Sequence, residues 1–262
     1  MIDLEQISQF FPEAQQKNPL LYEYMLKEYF HYKILDILYS GEQAEKLSFI
    51  GGTNLRIIHG IGRFSEDLDF DCFKLGRDDF IEMTDRVIER LTLDGIELVA
   101  DDKEQDKTLN AFRRNLVFPG LMYKLGLSGH REKRFLIKIE CEPHDFHYIP
   151  EKPLIQKFNV FTQIFVASAD ILLSMKTGAL LERQKGRDFY DFMFLSGITA
   201  PHFGYLEAKF GITSYEELYA EILARCETID FDKKSKDFEK LIFDQAEKKK
   251  VLLFPDYIRQ KM

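Results

Sequence analysis

The chain has 262 residues, 45% of them hydrophobic, with 24 Phe and no Trp. That length suits one large domain or two modest ones, with a core built mainly from Phe and aliphatic side chains. A net charge of −8 excludes a uniformly basic nucleic-acid binder, although a local basic groove stays open because charge segregates by face.

Residues 18–39 alternate apolar and solvated positions near the helical period, and Gly41 is placed to end that helix. Leu47-Ser48-Phe49-Ile50 reads as a strand entering a tight turn at Gly51-Gly52, with a short helix expected from Asn54 to Gly60. Asp67 to Phe73 alternates strictly. Leu68, Phe70 and Cys72 share one face of the expected strand, and Asp67, Asp69 and Asp71 the other. A helix is expected over Asp79–Leu93, a strand over Gly95–Ala100, a charged loop over Asp101–Lys107, and strand material within 111–127. Phe135 to Cys141 alternates again, with Lys138 and Glu140 on the polar face. Beyond Pro150 and Pro153 the character changes, and the boundary is placed near residues 150–165, in a Pro-containing connector. Ser168–Arg183 is a strong helix with Ser168 as its cap and Gly186 as its stop, and another helix starts at Arg187. The fold class expected is therefore α+β, a mixed sheet with flanking helices, followed by a helical C-terminal region. The division is placed at 1–160 and 161–262.

Several function classes drop out. Cys72, Cys141 and Cys226 form no CxxC pair, so no zinc framework or disulfide scaffold is expected. His144 and His147 lie in no HExxH context, and no GxxxxGK[ST] loop occurs. The opening Met1-Ile2-Asp3-Leu4-Glu5 lacks the features of a signal peptide, and no run is long enough to span a bilayer, so a cytoplasmic protein is expected.

What remains is an acidic strand after a glycine turn. Carboxylates on alternate strand residues sit about 6–7 Å apart at Cα on one side, close enough to grip one centre of hard cations. Asp67 and Asp69 satisfy that spacing, and Asp71 shares their parity; a solvated acidic strand edge reads the same way. A Gly-Gly turn opening a helix offers backbone N–H groups to a triphosphate, so Gly51, Gly52 and the Thr53 hydroxyl are candidates for phosphate contact. Taken alone, Gly-Gly is also an ordinary turn.

The combination is more specific than its parts. Strand, Gly-Gly-Thr, short helix and Asp-x-Asp on a second strand resemble the polymerase-beta-like nucleotidyltransferase fold. Residues 49–56 and 63–71, with Arg63 and Ser65 before the acidic pair, closely resemble the AbiEii/AbiGii toxin family. Lys176-Thr177-Gly178-Ala179 and Arg187-Asp188-Phe189-Tyr190-Asp191 resemble its downstream motifs. The resemblance implies that Asp67, Asp69, Lys176 and Asp191 are catalytic. It implies that Gly51, Gly52, Thr53, Arg63, Ser65 and Asp188 serve nucleotide binding, and that Asp67, Asp69 and Glu140 hold Mg2+, with Mn2+ as a substitute. Lys176 would neutralise the triphosphate and Asp191 would orient Lys176 or the base; otherwise Asp188 caps its helix, Lys176 snorkels, and Lys138-x-Glu140 is an exposed edge.

The implied activity is transfer of a nucleotide from an NTP to an acceptor hydroxyl. The context is a toxin with a cognate antitoxin or a phage-defence system, and the acceptor end of tRNA is one target. Arg113-Arg114, Lys124, His130–Arg134 and Arg183–Arg187, with Phe112, Tyr123 and Tyr190 nearby in sequence, are the cations and rings available to RNA. Two alternatives stand beside this reading: modification of a protein hydroxyl, and a nucleotide- or antitoxin-binding module without turnover.

Overall fold

The computed structural model describes residues 2–101, 111–143 and 146–262. All of the expected charged loop but Asp101, and His144, lie outside the described residues. The chain divides into two compact units. One comprises Met1–His59 and Phe64–Val166, the other Gly60–Arg63 and Ala167–Met262.

The first unit opens with the short helices α1 (Leu4–Ser8) and α2 (Glu13–Gln16) and the long α3 (Tyr22–Tyr39). Then follow β1 (Leu47–Ile50), α4 (Gly51–Ile57), β2 (Leu68–Cys72), α5 (Arg77–Leu93), β3 (Val99–Asp101), β4 (Phe112–Val117), α6 (Leu121–Lys124) and β5 (Leu136–Glu142). A hairpin of β6 (Leu154–Lys157) and β7 (Val160–Gln163) completes the unit. The main sheet runs β1-β2-β5-β4-β3, with only β2 and β5 parallel. Its mixed sheet and flanking helices are the α+β architecture the alternation predicts. Leu68, Phe70 and Cys72 on β2, and Ile137, Ile139 and Cys141 on β5, are all buried on one face. The core beneath is aromatic: the Phe30 ring lies 4.5 Å from Phe118, which meets Phe135 edge-on at 5.3 Å.

Several local expectations change. The strand expected over Gly95–Ala100 is confined to Val99–Asp101. The stretch 111–127 is not all strand, because Pro119 cannot extend the ladder and Gly120 turns at φ 64°, opening α6. The connector near residue 155 is a hairpin, turned by Phe158 and Asn159 at φ 54° and 60°.

The second unit packs α7 (Ala169–Glu182), α8 (Gly186–Ser196), α9 (Phe203–Phe210), α10 (Tyr215–Cys226), α11 (Phe231–Lys236), α12 (Lys248–Leu252) and α13 (Phe254–Arg259). Phe189, Phe192 and Phe254 are buried at its centre, the Phe189 and Phe254 rings 4.9 Å apart. Ser168 precedes α7 but turns its hydroxyl to the Asp170 carboxylate rather than to the helix N–H groups. Gly186 does not stop α7; Gln184, at φ 53°, does that. Gly186 instead begins α8, where any Cβ would drive into the backbone carbonyl of Lys234 on α11. The segment Gly60–Arg63 joins this unit through a backbone hydrogen bond from Phe243 N to the Gly62 carbonyl, 3.1 Å.

Candidate active site

Gly51 adopts φ 78°, a left-handed conformation that glycine takes at no steric cost. The Asp69 side chain lies directly on it: a Cβ at Gly51 would sit 2.9 Å from the Cβ of Asp69. The glycine thus makes room for a carboxylate as well as for a turn. Thr53, expected at the phosphates, is buried and donates its hydroxyl to the Asp67 carbonyl. Asn54 Nδ2 donates to the Phe49 carbonyl at 2.7 Å, tying α4 to β1. No side chain caps the N-terminus of α4, which Gly51 and Gly52 begin.

The approach to the acidic strand is held from α3 as well. Lys27 Nζ reaches a Glu66 carboxylate oxygen at 3.2 Å, and His31 Nε2 the Glu66 carbonyl at 3.1 Å. Burial pushes the His31 imidazole down to about 4, so near neutral pH it is uncharged and Nε2–H is the donor. The sequence reading missed both residues. Their signal was polar side chains within a largely core-facing helical run, Met25 to Leu35, where only a partner makes burial tolerable.

The polar face of the sheet carries the charges. Asp67 and Asp69 are half-buried, whereas Asp71 is completely buried. Asp69 and Glu140 are direct neighbours across β2 and β5, and Glu140 faces Arg113 across β5 and β4. Lys138 Nζ lies 2.7 Å from Glu140 and 3.4 Å from Asp67. Arg113 donates to both Glu140 oxygens, Nε at 3.0 Å and Nη2 at 2.9 Å. Burial would raise the Glu140 carboxyl, but the bonds from Arg113 and Lys138 outweigh it and hold the group below its usual range. Burial likewise opposes the charge on Lys138, yet Glu140 and Asp67 raise its pKa.

In the second unit the Asp191 carboxylate is wholly buried, taking Arg63 Nε and Nη2 at 2.7 Å each and Lys176 Nζ at 2.7 Å. Burial would push this carboxyl up; the two cations overcome it and hold it at about 2. Arg63 is therefore turned to Asp191. Asp188 is equally buried but has different partners: Arg183 grips both its oxygens at 2.7–3.0 Å, and Lys185 N donates to it at 3.0 Å. Its geometry is that of a helix-start brace, so the two aspartates one turn apart do unlike work. Ser65, in the first unit, is half-buried and makes no side-chain hydrogen bond among the described residues.

The cations expected to meet RNA are largely paired. Lys124 binds Glu97 at 2.5 Å, Lys133 binds Glu23 at 2.7 Å, Arg134 binds Asp101, and Arg114 points to the other sheet face, onto Asp85 at 2.8 Å. Tyr123 is exposed, but Tyr190 is buried with its hydroxyl donating to Glu247 at 2.9 Å, so it is no stacking platform.

No helix among the described residues is long and apolar enough to cross a membrane. Among curated proteins, none matches the chain. Among solved structures, the chain is similar to the MenT4 nucleotidyltransferase toxin of Mycobacterium tuberculosis H37Rv, with a TM-score of 0.64 at 14% identity, over 99% of this chain and 90% of that one. It is also similar to JHP933 from Helicobacter pylori, with a TM-score of 0.51 at 19% identity, over 91% and 92% of the two chains. At those identities the likeness is one of fold. The sequence model described as "Nucleotidyl transferase AbiEii toxin, Type IV TA system" matches residues 33–257, from within α3 into α13, and includes Asp67, Asp69, Lys138, Glu140, Lys176 and Asp191. The chain belongs to the AbiEii family of nucleotidyltransferase toxins of type IV toxin–antitoxin systems.

Proposed function

We propose that this nucleotidyltransferase holds a divalent cation, Mg2+ with Mn2+ as substitute, on Asp67 and Asp69, and transfers a nucleotide from an NTP to the acceptor end of tRNA. The observation that carries the reading is the acidic pair itself. Two carboxylates stand two residues apart near Lys138, Asp67 just before β2 rather than on it and Asp69 within it, with Asp69 seated on a left-handed glycine. Hard oxygen donors of this kind fit Mg2+. Among the described residues no three metal-binding side chains converge, so the cation would complete its shell with water and phosphate oxygens. When bound, such an ion neutralises phosphate charge and aligns the reacting oxygens.

The chain's own groups supply the rest. The N-terminal turn of α4, begun by Gly51 and Gly52, presents backbone N–H groups suited to phosphate oxygens. Lys176 is assigned to the triphosphate charge and Asp191 to holding Lys176 extended. In the reaction the acceptor oxygen bonds to the α-phosphorus and the bond to the pyrophosphate oxygen breaks. The hydroxyl proton leaves, and pyrophosphate is released. A toxin of this family is paired with an antitoxin, and its substrates place it in the cytoplasm; phage defence is a fitting setting for such a pair.

The ion pairing of Lys124, Lys133 and Arg134 favours a second reading, a protein hydroxyl as acceptor, because it leaves little open basic surface. One experiment decides. Purified protein is incubated with total tRNA, Mg2+ and each labelled NTP in turn, alongside Asp69→Ala. Label in RNA with wild type alone supports the tRNA reading. Label in protein supports the second. Nucleotide binding without label in either sinks both.

A further inference from the structure

We propose that Arg113 and Lys138 form a phosphate subsite, and that Glu140 is the counter-ion seated in it until a substrate phosphate displaces it. The inference deepens the nucleotidyl-transfer reading and rests on it.

The first argument is stereochemical. A carboxylate gripped through Nε and Nη2 of one arginine, with a lysine on the same edge, occupies the position a phosphate takes in an Arg/Lys fork. Both Glu140 oxygens are engaged by cations at 2.7–3.0 Å, three contacts on a group with about four lone-pair sites. A third metal ligand needs a lone pair aimed at the ion; this carboxylate has its charge answered within the sheet.

The second argument is position. Asp69, Glu140 and Arg113 form one row across three adjacent strands. At a strand spacing near 4.8 Å, Arg113 lies roughly 10 Å from Asp69 at Cα, about the reach of a triphosphate tail or a neighbouring nucleotide's phosphate. Arg113 is also 41% exposed at its side chain, whereas Glu140 is 20% exposed, so an anion from solvent meets the guanidinium before the carboxylate.

The third argument is comparison with the molecule's other paired cations. Arg114, Arg56 and Lys157 are at least four-fifths buried on Asp85 and Glu28, while Lys124, Lys133 and Arg134, at least as exposed as Arg113, are paired with Glu97, Glu23 and Asp101. Arg113 and Lys138 are the pair of cations on the polar face that also flanks Asp67 and Asp69.

The test measures binding, with saturating Mg2+, of two probes: tripolyphosphate and a short oligouridylate RNA. With Glu140→Gln, tightening of about three- to tenfold is expected for one of them, the scale of one uncovered charge near the surface. Tripolyphosphate assigns the subsite to the nucleotide, and oligouridylate assigns it to the acceptor strand. Mn2+ affinity should remain at the wild-type value. Loss of Mn2+ affinity in Glu140→Gln matching that in Asp69→Asn, or wild-type affinity for both anions, overturns the proposal. Should Glu140→Gln lose its thermal transition, Arg113→Gln carries the test. About tenfold weaker anion binding is then expected, and unchanged binding overturns the inference. Asp69→Asn separates the two readings: wild-type label transfer by that variant defeats the assignment of the acidic pair, whatever the anion result.

Discussion

Two cations answer one carboxylate at Asp191, and neither has solvent to fall back on: Arg63 is 1% and Lys176 9% exposed at the side chain. Asp191→Ala strands both charges in the interior, and a loss of about 3–5 kcal/mol is expected in urea unfolding. The simultaneous change of Arg63, Lys176 and Asp191 to Met, Met and Leu should recover most of that stability while abolishing nucleotide transfer. Because the folded carboxyl is depressed to about 2, its contribution is present above pH 4 and fades only as pH falls through 2. His31 acts in a milder range. Its folded pKa, near 4, lies below the ordinary 6.5, so protons favour the unfolded chain between those values. Stability should fall by about 3 kcal/mol as pH drops from 6.5 to 4, a limb that His31→Asn should flatten in thermal scans.

The turn from β1 into α4 does two jobs at one residue. Gly51→Ala is expected to cost about 1–2 kcal/mol for its left-handed backbone and, because the new methyl would meet Asp69, to reduce nucleotide transfer much further. Direct measurement of transfer and melting on the same preparation separates the two losses. The alternation of Asp67–Phe73 and of Phe135–Cys141 made β2 and β5 readable, since each has one dry face. Helices α3 and α5 were readable from their period, and α7 and α8 from the apolar stretch and the residues flanking them. The β6–β7 hairpin was not, because its turn is Phe158-Asn159 rather than Asn-Gly, and Phe158 bears φ 54° only because burial against Phe10, Phe11, Tyr29 and Tyr32 holds it there. Phe158→Ala should therefore cost about 3–5 kcal/mol, far more than a hairpin tip usually does. Motif spacing picked out the charged residues, but a spacing carries no partners. Nothing in the string Arg-x-Ser-x-Asp says that Arg63 faces Asp191 while Thr53 faces the Asp67 carbonyl.

At the scale of the molecule, a net charge of −8 and the pairing of Lys124, Lys133 and Arg134 limit how strongly any polyanion is held. If RNA is the acceptor, its binding should depend only shallowly on salt, with a log–log slope of about −1 to −3 rather than the steep slope of a basic groove. Filter binding over a tenfold salt range checks this; a slope near −6 would point to a basic surface elsewhere. The Arg63–Asp191 pair also has a consequence in time. Its partners are 128 residues apart. A ribosome adding about 5–20 residues per second needs roughly 6–26 s to bring Asp191 out after Arg63. Throughout that interval the arginine's docking site has not been made, so a stalled or cleaved nascent chain ending before α8 lacks the anchor for the segment that precedes Asp67. The chain can therefore complete this ion pair only once its translation is nearly three-quarters done.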